Sequence, residues 1–251
     1  MFASLFSSAQ VTIEHLTFKV NNLGQYQVLS TDGVDLYSAK GVLLKHYSED
    51  LLGEVTSLDR SSSLESLLFY EDIPAFQILD NTLSPHGRLY DLNLADLQNV
   101  TIVCMSNDNT FWAYDAVTLE MLRFDNTFKI LERSGNLAVI IGREIKPNSM
   151  LVSGDRVYLA DEIEGLFVFD LFANFLIHIP FEGLVDFDVV ERWIYMTDGK
   201  VVERIDNKGM RSQVLDSVIE ESILCLDIEA NSIYLGDGNI IRKRLLNSLF
   251  H

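Results

Sequence analysis

The stretch Ser149-Met-Leu-Val-Ser-Gly-Asp-Arg-Val-Tyr-Leu-Ala-Asp-Glu-Ile-Glu-Gly-Leu-Phe-Val-Phe-Asp170 decides how this chain folds. Ser149–Ser153 is a short apolar run, Gly154-Asp155-Arg156 a turn, and Val157–Ala160 a second run. After Asp161–Gly165 comes a third run, Leu166–Asp170, and Phe175–Ile179 adds a fourth. Each run is short, rich in β-branched and aromatic residues, and bounded by Gly, Asp or Asn, which is how strands read. The next forty residues repeat the pattern in Val185–Val190, Trp193–Met196, Val201–Ile205 and Gln213–Leu215. No window carries a helical stripe of useful length; Val218–Glu221 is the nearest and spans only a turn.

Outward from this unit the same marks recur. An aromatic residue followed three positions later by Asp or Lys occurs at Tyr37, Phe69, Trp112, Tyr158, Tyr195 and Tyr234, at spacings of 32, 43, 46, 37 and 39. A second mark, an Asp closing an apolar run, stands at Asp80, Asp125, Asp170 and Asp206. Two registered marks at one period of about forty residues point to six four-stranded units in one domain. The expectation is an all-β, six-bladed β-propeller over residues 10–251; a solenoid, whose repeats run nearer 20–30 residues, is the alternative. The aromatics are expected in the wedges between blades. The Asp that follows each is expected to accept backbone N–H groups of the next turn.

Val157-Tyr-Leu-Ala-Asp161 followed by Leu166-Phe-Val-Phe-Asp170 resembles the NHL and YWTD groups of six-bladed propellers, where an aromatic-x-x-Asp ends the second strand of each blade. The resemblance covers essentially the whole chain. Lys40 replaces the Asp in the first copy, and the Trp of the YWTD signature is absent from all six. The likeness implies the fold. By way of the short periplasmic propellers of cell-envelope and type IX secretion assemblies, it also implies a role as an accessory subunit.

The composition narrows function from another side. The chain has 251 residues, a net charge of −18 and 48% apolar residues. Such an acidic protein does not hold nucleic-acid phosphate, and its apolar content is too high for a disordered acidic chain. No apolar run reaches the length of a membrane-spanning helix. Met1–Gln10 resembles the tail of a secretory signal, with Ser7 and Ala9 as the small residues before a cut at Gln10. Residues 1–9 are therefore expected to be a signal-peptide remnant, and the protein periplasmic or secreted. Cys104 and Cys225 fall at matching places in the innermost strands of opposite blades, beyond disulfide reach, so both are expected as buried free thiols.

Candidate site residues come from the repeat itself. An acid or amide stands just before each expected innermost strand: Gln25, Glu54, Asn99, Asn148, Asp186 and Glu221. These positions converge on one mouth of the central channel, where a ring of oxygens suits Ca²⁺. Six-bladed hydrolases of the lactonase type resemble this arrangement. Polar residues are equally ordinary where a loop enters a strand. The five histidines show no metal-ligand spacing, and none falls at this rim as a base. The long connection Ser134–Asn148 carries Arg143 and Lys146 as candidates for a binding face; its apolar part is expected as an outermost strand or a pad on the disc. Arg242-Lys243-Arg244 is expected on a solvated edge strand. Val11–Val20 is expected to close blade six as its outer strand. The function expected is a non-catalytic, exported protein-interaction module with a protein partner and no required cofactor. The alternative is a calcium-dependent hydrolase, or a small-ligand or carbohydrate binder at the channel mouth.

Overall fold

The computed structural model describes residues 9–246 except 50, 60, 63, 96, 98, 207–211 and 216–221. After β1 (Ala9–Thr12), blade one comprises β2 (Thr17–Val20), β3 (Tyr26–Ser30), β4 (Gly33–Tyr37) and β5 (Leu43–Tyr47). Blade two holds β6 (Ser57–Asp59), β7 (Glu65–Tyr70), β8 (Ala75–Asp80) and β9 (Tyr90–Asp91). Blade three holds β10 (Val100–Met105), β11 (Phe111–Asp115), β12 (Glu120–Phe124) and β13 (Ile130–Arg133). Blade four holds β14 (Pro147–Ser153), β15 (Arg156–Asp161), β16 (Gly165–Asp170) and β17 (Phe175–Pro180). Blade five holds β18 (Asp186–Val190), β19 (Trp193–Thr197), β20 (Val202–Asp206) and β21 (Ser212–Leu215). Blade six holds β22 (Cys225–Glu229), β23 (Ser232–Gly236) and β24 (Ile240–Leu245), with β1 as its fourth strand. The fold is a six-bladed β-propeller.

Repetition gives the disc two distinct faces. Every blade starts at the channel and runs outward, so the connections between blades and the turns between second and third strands share one face, the connection face. Main-chain bonds tie those two kinds of loop together there: Ala116 N–H to Asn99 O, Leu137 N–H to Leu119 O, and Leu184 N–H to Glu162 O. The other turns, first to second and third to fourth strand, form the hairpin face.

Hydrophobic burial lies between blades. Phe69, Trp112, Tyr158, Tyr195 and Tyr234 sit in the second strands β7, β11, β15, β19 and β23, each in a cluster that joins its own blade to the next. Trp112, fully buried, packs with Val152, Leu159 and Phe167 of blade four. Side chains of this size each contribute about 3 kcal/mol by leaving water. Tyr37 departs from the expectation: it ends β4, a third strand. It belongs with Phe124 and Phe169, which precede the second mark, and Ser38 takes the place of that mark's Asp. Tyr26, in the second strand of blade one, does not take the mark's place: it packs back against Tyr234 of blade six, while Leu29 of the same strand faces blade two.

Four of the five aspartates that follow the aromatic marks hold turns, as expected. Asp115, Asp161, Asp198 and Asp237 each accept two backbone N–H groups at 2.8–3.0 Å from the loop that follows. Asp80, Asp125 and Asp170 do the same on the hairpin face. Three residues after each stands a left-handed residue: Leu83 (φ 55), Phe128 (φ 66) and Ala173 (φ 63).

The ring closes between the chain's two ends, with a correction to the expected strand. β1 pairs antiparallel with β24, Val11 opposite Ile241, but Val11–Val20 is not one strand. At the step read as a bulge the chain leaves blade six. Ile13 and His15 N–H still bond Asn239 O and Gly238 O, while Leu16 N–H already reaches Leu29 O of blade one. Thr17–Val20 then forms the innermost strand of blade one. For the same reason Arg242-Lys243-Arg244 is no edge: β24 is flanked by β23 and β1. Arg242 instead binds Asp237 at 2.7 Å, and Lys243 lies over the Tyr234 ring. The connection between blades three and four also differs from expectation. It contains a five-residue helix, α1 (Leu137–Ile141), capped by Asn136, which accepts Val139 N–H, and stopped by Gly142 at φ 84. One buried residue, Leu137, cannot produce a legible stripe.

Candidate functional site

An innermost strand is a sheet edge, and its outward N–H groups need acceptors that no strand supplies. Carboxylates from the neighbouring blade meet part of this need. Asp59 Oδ2 accepts Met105 N–H at 2.5 Å, linking blades two and three. Asp186 and Asp188 accept the N–H groups of Leu226 and Ile228 at 2.9 and 2.8 Å, linking five and six. Asp227 accepts Val20 N–H at 2.9 Å, linking six and one. Asp59 is buried; loss of water raises its pKa, opposed by the N–H bonds of Met105 and Ser61 and by the Lys19 charge.

This ladder decides what the candidate residues do. Asp186 is not a free ligand at the mouth. Its Oδ2 is committed to Leu226 and its Oδ1 accepts Phe187 N–H at 2.9 Å. Gln25 does not precede an innermost strand: it lies in the turn between β2 and β3, where its N–H binds Asn21 Oδ1. The misplacement follows from reading Tyr37 as the first mark. Asn99 is exposed, and its carbonyl accepts Ala116 N–H. Glu54 is exposed and lines a depression of about 500 Å³ with Asp32, Glu49 and His46. Glu221 lies outside the described residues. Among the described residues, no three His, Cys, Asp or Glu groups come together as a metal set.

Asn148 and Lys146 do come together, in a cavity of about 600 Å³ at the channel mouth on the connection face. Its walls are the first residues of β6, β10 and β14, with Glu71, Tyr114 and Glu144 on the rim side. Burial first, then the charges of Glu144, Asp115 and Asp161, push the Tyr114 hydroxyl up to about 12, so it stays protonated in neutral water. Lys146 is held by its main chain, whose N–H bonds Asp161 Oδ2 at 2.7 Å, leaving its exposed side chain toward the cavity. Arg143 is turned elsewhere, paired with Glu164 at 2.8 Å and close to His178 on blade four. Ile145, buried between them, separates the two candidates of this loop.

Sequence reasoning missed the carboxylates that link the blades. Their signal is an acid inside an apolar first strand, as in Asp186-Phe-Asp188 and Leu226-Asp227. It also missed Glu144, two residues before Lys146, and Glu71, which joins them at the cavity only through the ring.

No protein-family model matches this chain, and no curated protein does. Solved structures do. Virginiamycin B lyase from Staphylococcus aureus aligns at a TM-score of 0.62 and 9% identity, over 95% of this chain and 88% of that one. The Pan2 WD40 domain of Neurospora crassa aligns at 0.59 and 10%, over 96% and 90%. BamB from Moraxella catarrhalis aligns at 0.51 and 14%, over 93% and 70%. What they share with this chain is the propeller fold. Among the described residues no helix is long and apolar enough to cross a membrane.

Proposed function

We propose that this chain is a non-catalytic protein-interaction module, exported to the periplasm or beyond, that serves as a scaffold or accessory subunit of an envelope or secretion assembly. The observation that carries the reading is how three aspartates near the mouth are used. Asp59, Asp161 and Asp186 each spend their oxygens on backbone N–H groups, while large apolar side chains stand bare on the loops around them, Val139 at 80% exposure among them. Groups poised for chemistry are held for it by partners that leave a reactive atom free; here the partners use the oxygens up. Kinship with the NHL and YWTD groups, and with short propellers of type IX export, is part of the same proposal. It is supported by the aromatic-x-x-Asp marks and their turn bonds. The experiment is cross-linking in cells, then affinity purification from envelope fractions. A stoichiometric protein partner is expected.

A second reading is favoured by the cavity of about 600 Å³, which is of small-ligand size. It makes the chain a small-ligand or carbohydrate binder, or a calcium-dependent hydrolase, working at the mouth through Asn148 and its neighbours. Calcium-dependent esterase activity without a captured partner would replace the first reading with this one.

A further inference from the structure

We infer that the connection face over blades two to four docks a cationic polypeptide segment that also carries apolar side chains. The inference rests on the interaction-module reading and adds to it the face and the chemistry of the partner.

The first observation is how charge divides between the two faces. Among the described residues that lie between strands, the connection face carries twelve carboxylates and three basic side chains, Arg143, Lys146 and Lys200. The hairpin face carries four of each sign. All the imbalance counted in these loops is therefore on one side of the disc, although the turns on both sides are built with the same Asp device. Turn geometry alone does not ask for that difference. Glu71 and Glu144, which border the mouth cavity, are not turn-capping positions at all.

The second observation is independent of charge. The five most exposed large apolar side chains of the described residues are Leu51, Leu94, Val117, Val139 and Ile163, at 70–84% exposure. All five lie on the connection face. They follow one another around an arc: the connection into blade two, the connection into blade three, the turn of blade three, the connection into blade four and the turn of blade four. The cavity at the mouth opens inside this arc, walled by the first strands of the same three blades.

Together these features choose the occupant. Apolar anchors surrounding a cavity are the usual centre of a protein interface, and a surrounding field of one sign steers a partner of the other. A second copy of this chain would bring the same acidic face to it and be repelled. An anionic membrane or a nucleic acid would be repelled for the same reason. A segment bearing Lys or Arg with Leu- or Ile-like side chains satisfies both features. Its apolar groups cover Val117, Val139 and Ile163, while the stem of a long basic side chain enters the cavity toward Glu71 and Glu144.

The test uses a labelled amphipathic lysine–leucine peptide of about eighteen residues, its glutamate–leucine counterpart, and vesicles containing phosphatidylserine. Affinity is read by fluorescence anisotropy, or by sedimentation for the vesicles. Only the lysine–leucine peptide is expected to bind, and more weakly as salt is raised. Combining Val117→Ser, Val139→Ser and Ile163→Ser should weaken it about tenfold or more. Combining Glu71→Gln with Glu144→Gln should weaken it several-fold and reduce its salt dependence. A matched hairpin-face variant, Leu23→Ser, Leu64→Ser and Phe172→Ser, should leave it within about twofold. Seven of the eight positions are on loops or turns and the eighth, Val139, is an exposed residue of the short helix α1, so circular dichroism should show each variant folded.

The inference is overturned if the hairpin-face variant weakens binding as much as the first. It is also overturned if the acidic peptide or the vesicles bind as well, or if nothing binds. Cross-linking in cells separates this failure from that of the broader reading. A partner whose capture survives the connection-face variants but not the hairpin-face ones leaves the module reading standing and this one refuted. No partner from the unaltered protein removes the module reading itself.

Discussion

Gly236, in the second strand of blade six, stands where the first and last parts of the chain meet, and replacing it with alanine tests how tightly the ring is closed. A Cβ there would lie 2.3 Å from His15 Nε2, 2.7 Å from Phe18 Cε1 and 2.8 Å from Cys225 Sγ. Ordinary contacts are about 3.5–4.0 Å, so the methyl group intrudes by an ångström or so on three sides. Phe18 and Cys225 are buried in the cluster that joins blades six and one and have nowhere to go. If His15 gives way instead, it loses its bonds to Ile13 O at 2.7 Å and to Gly238 N–H at 3.2 Å, about 1 kcal/mol each. Overfilling of this kind costs about 1–3 kcal/mol. The φ of Gly236 is not in the left-handed region, so alanine returns about 0.4–1 kcal/mol by restricting the unfolded chain. The expected net loss is about 2 kcal/mol, or about 4–8 °C in melting temperature for a chain of this length. Urea unfolding should show a lower midpoint with an unchanged slope. Gly154→Ala is the control. It meets nothing within 4 Å and bears only its positive φ of 62, worth about 1–2 kcal/mol. A Gly236→Ala protein as stable as the parent would refute the tight seam and the placement of His15 within it.

Four further outcomes are expected. His15 Nε2 accepts Gly238 N–H, so Nδ1 carries the proton and the ring is neutral. Burial holds its pKa below 6.5, so the unfolded chain takes up the proton first. Stability from this site is full above 6.5 and falls as pH drops through 6.5 toward the lower folded value; denaturation midpoints across that range should decline less in His15→Gln. Removing residues 1–12 deletes β1 and bares the edge of β24; about four main-chain bonds at about 1 kcal/mol each are lost. Chemical denaturation should show that loss, and size-exclusion chromatography should show aggregation through the exposed edge. Asp227→Ala strands the Val20 N–H and should cost about 1–3 kcal/mol by denaturant titration, with Asp227→Asn recovering part. Cys104 and Cys225 are free and buried, and burial raises the Cys104 thiol well above its usual pKa. A thiol reagent should therefore find neither in the native protein and both after denaturation.

The fold was legible because each blade must solve the same two problems, a wedge to fill and turns to hold, and uses the same residue types to do it. Trp112 with Asp115 and Tyr158 with Asp161 could be read directly for that reason. Blade one misled because it solves the turn with Ser38 and Gly41, which put Tyr37 forward as a false mark and carried Gln25 into the wrong loop. The five-residue α1 was silent because its caps, Asn136 and Gly142, enclose too little chain for a periodicity. Of the site, the local part could be read: Lys146 and Asn148 reach the cavity from one short stretch. What could not be read depends on closure. Asp186 looked like a ligand until blade six supplied the Leu226 N–H that occupies it, and the segregation of charge appears only once loops are sorted alternately between faces.

The seam in blade six also sets a timetable. Val11 pairs with Ile241, two residues whose separation along the chain is nearly the whole of it. At a synthesis rate of about 5–20 residues per second, β1 waits roughly ten to fifty seconds for its partner to exist. Until then five blades can stack in order while the disc remains a split washer, with the apolar faces of β1 and β2 uncovered at one lip. The ends must then find one another across the slowest kind of contact a chain can make. A propeller latched this way is completed only after its last blade has emerged. For a protein that must pass a narrow opening before it folds, such a delay is an asset, and for one held too long before release it is the interval in which aggregation begins.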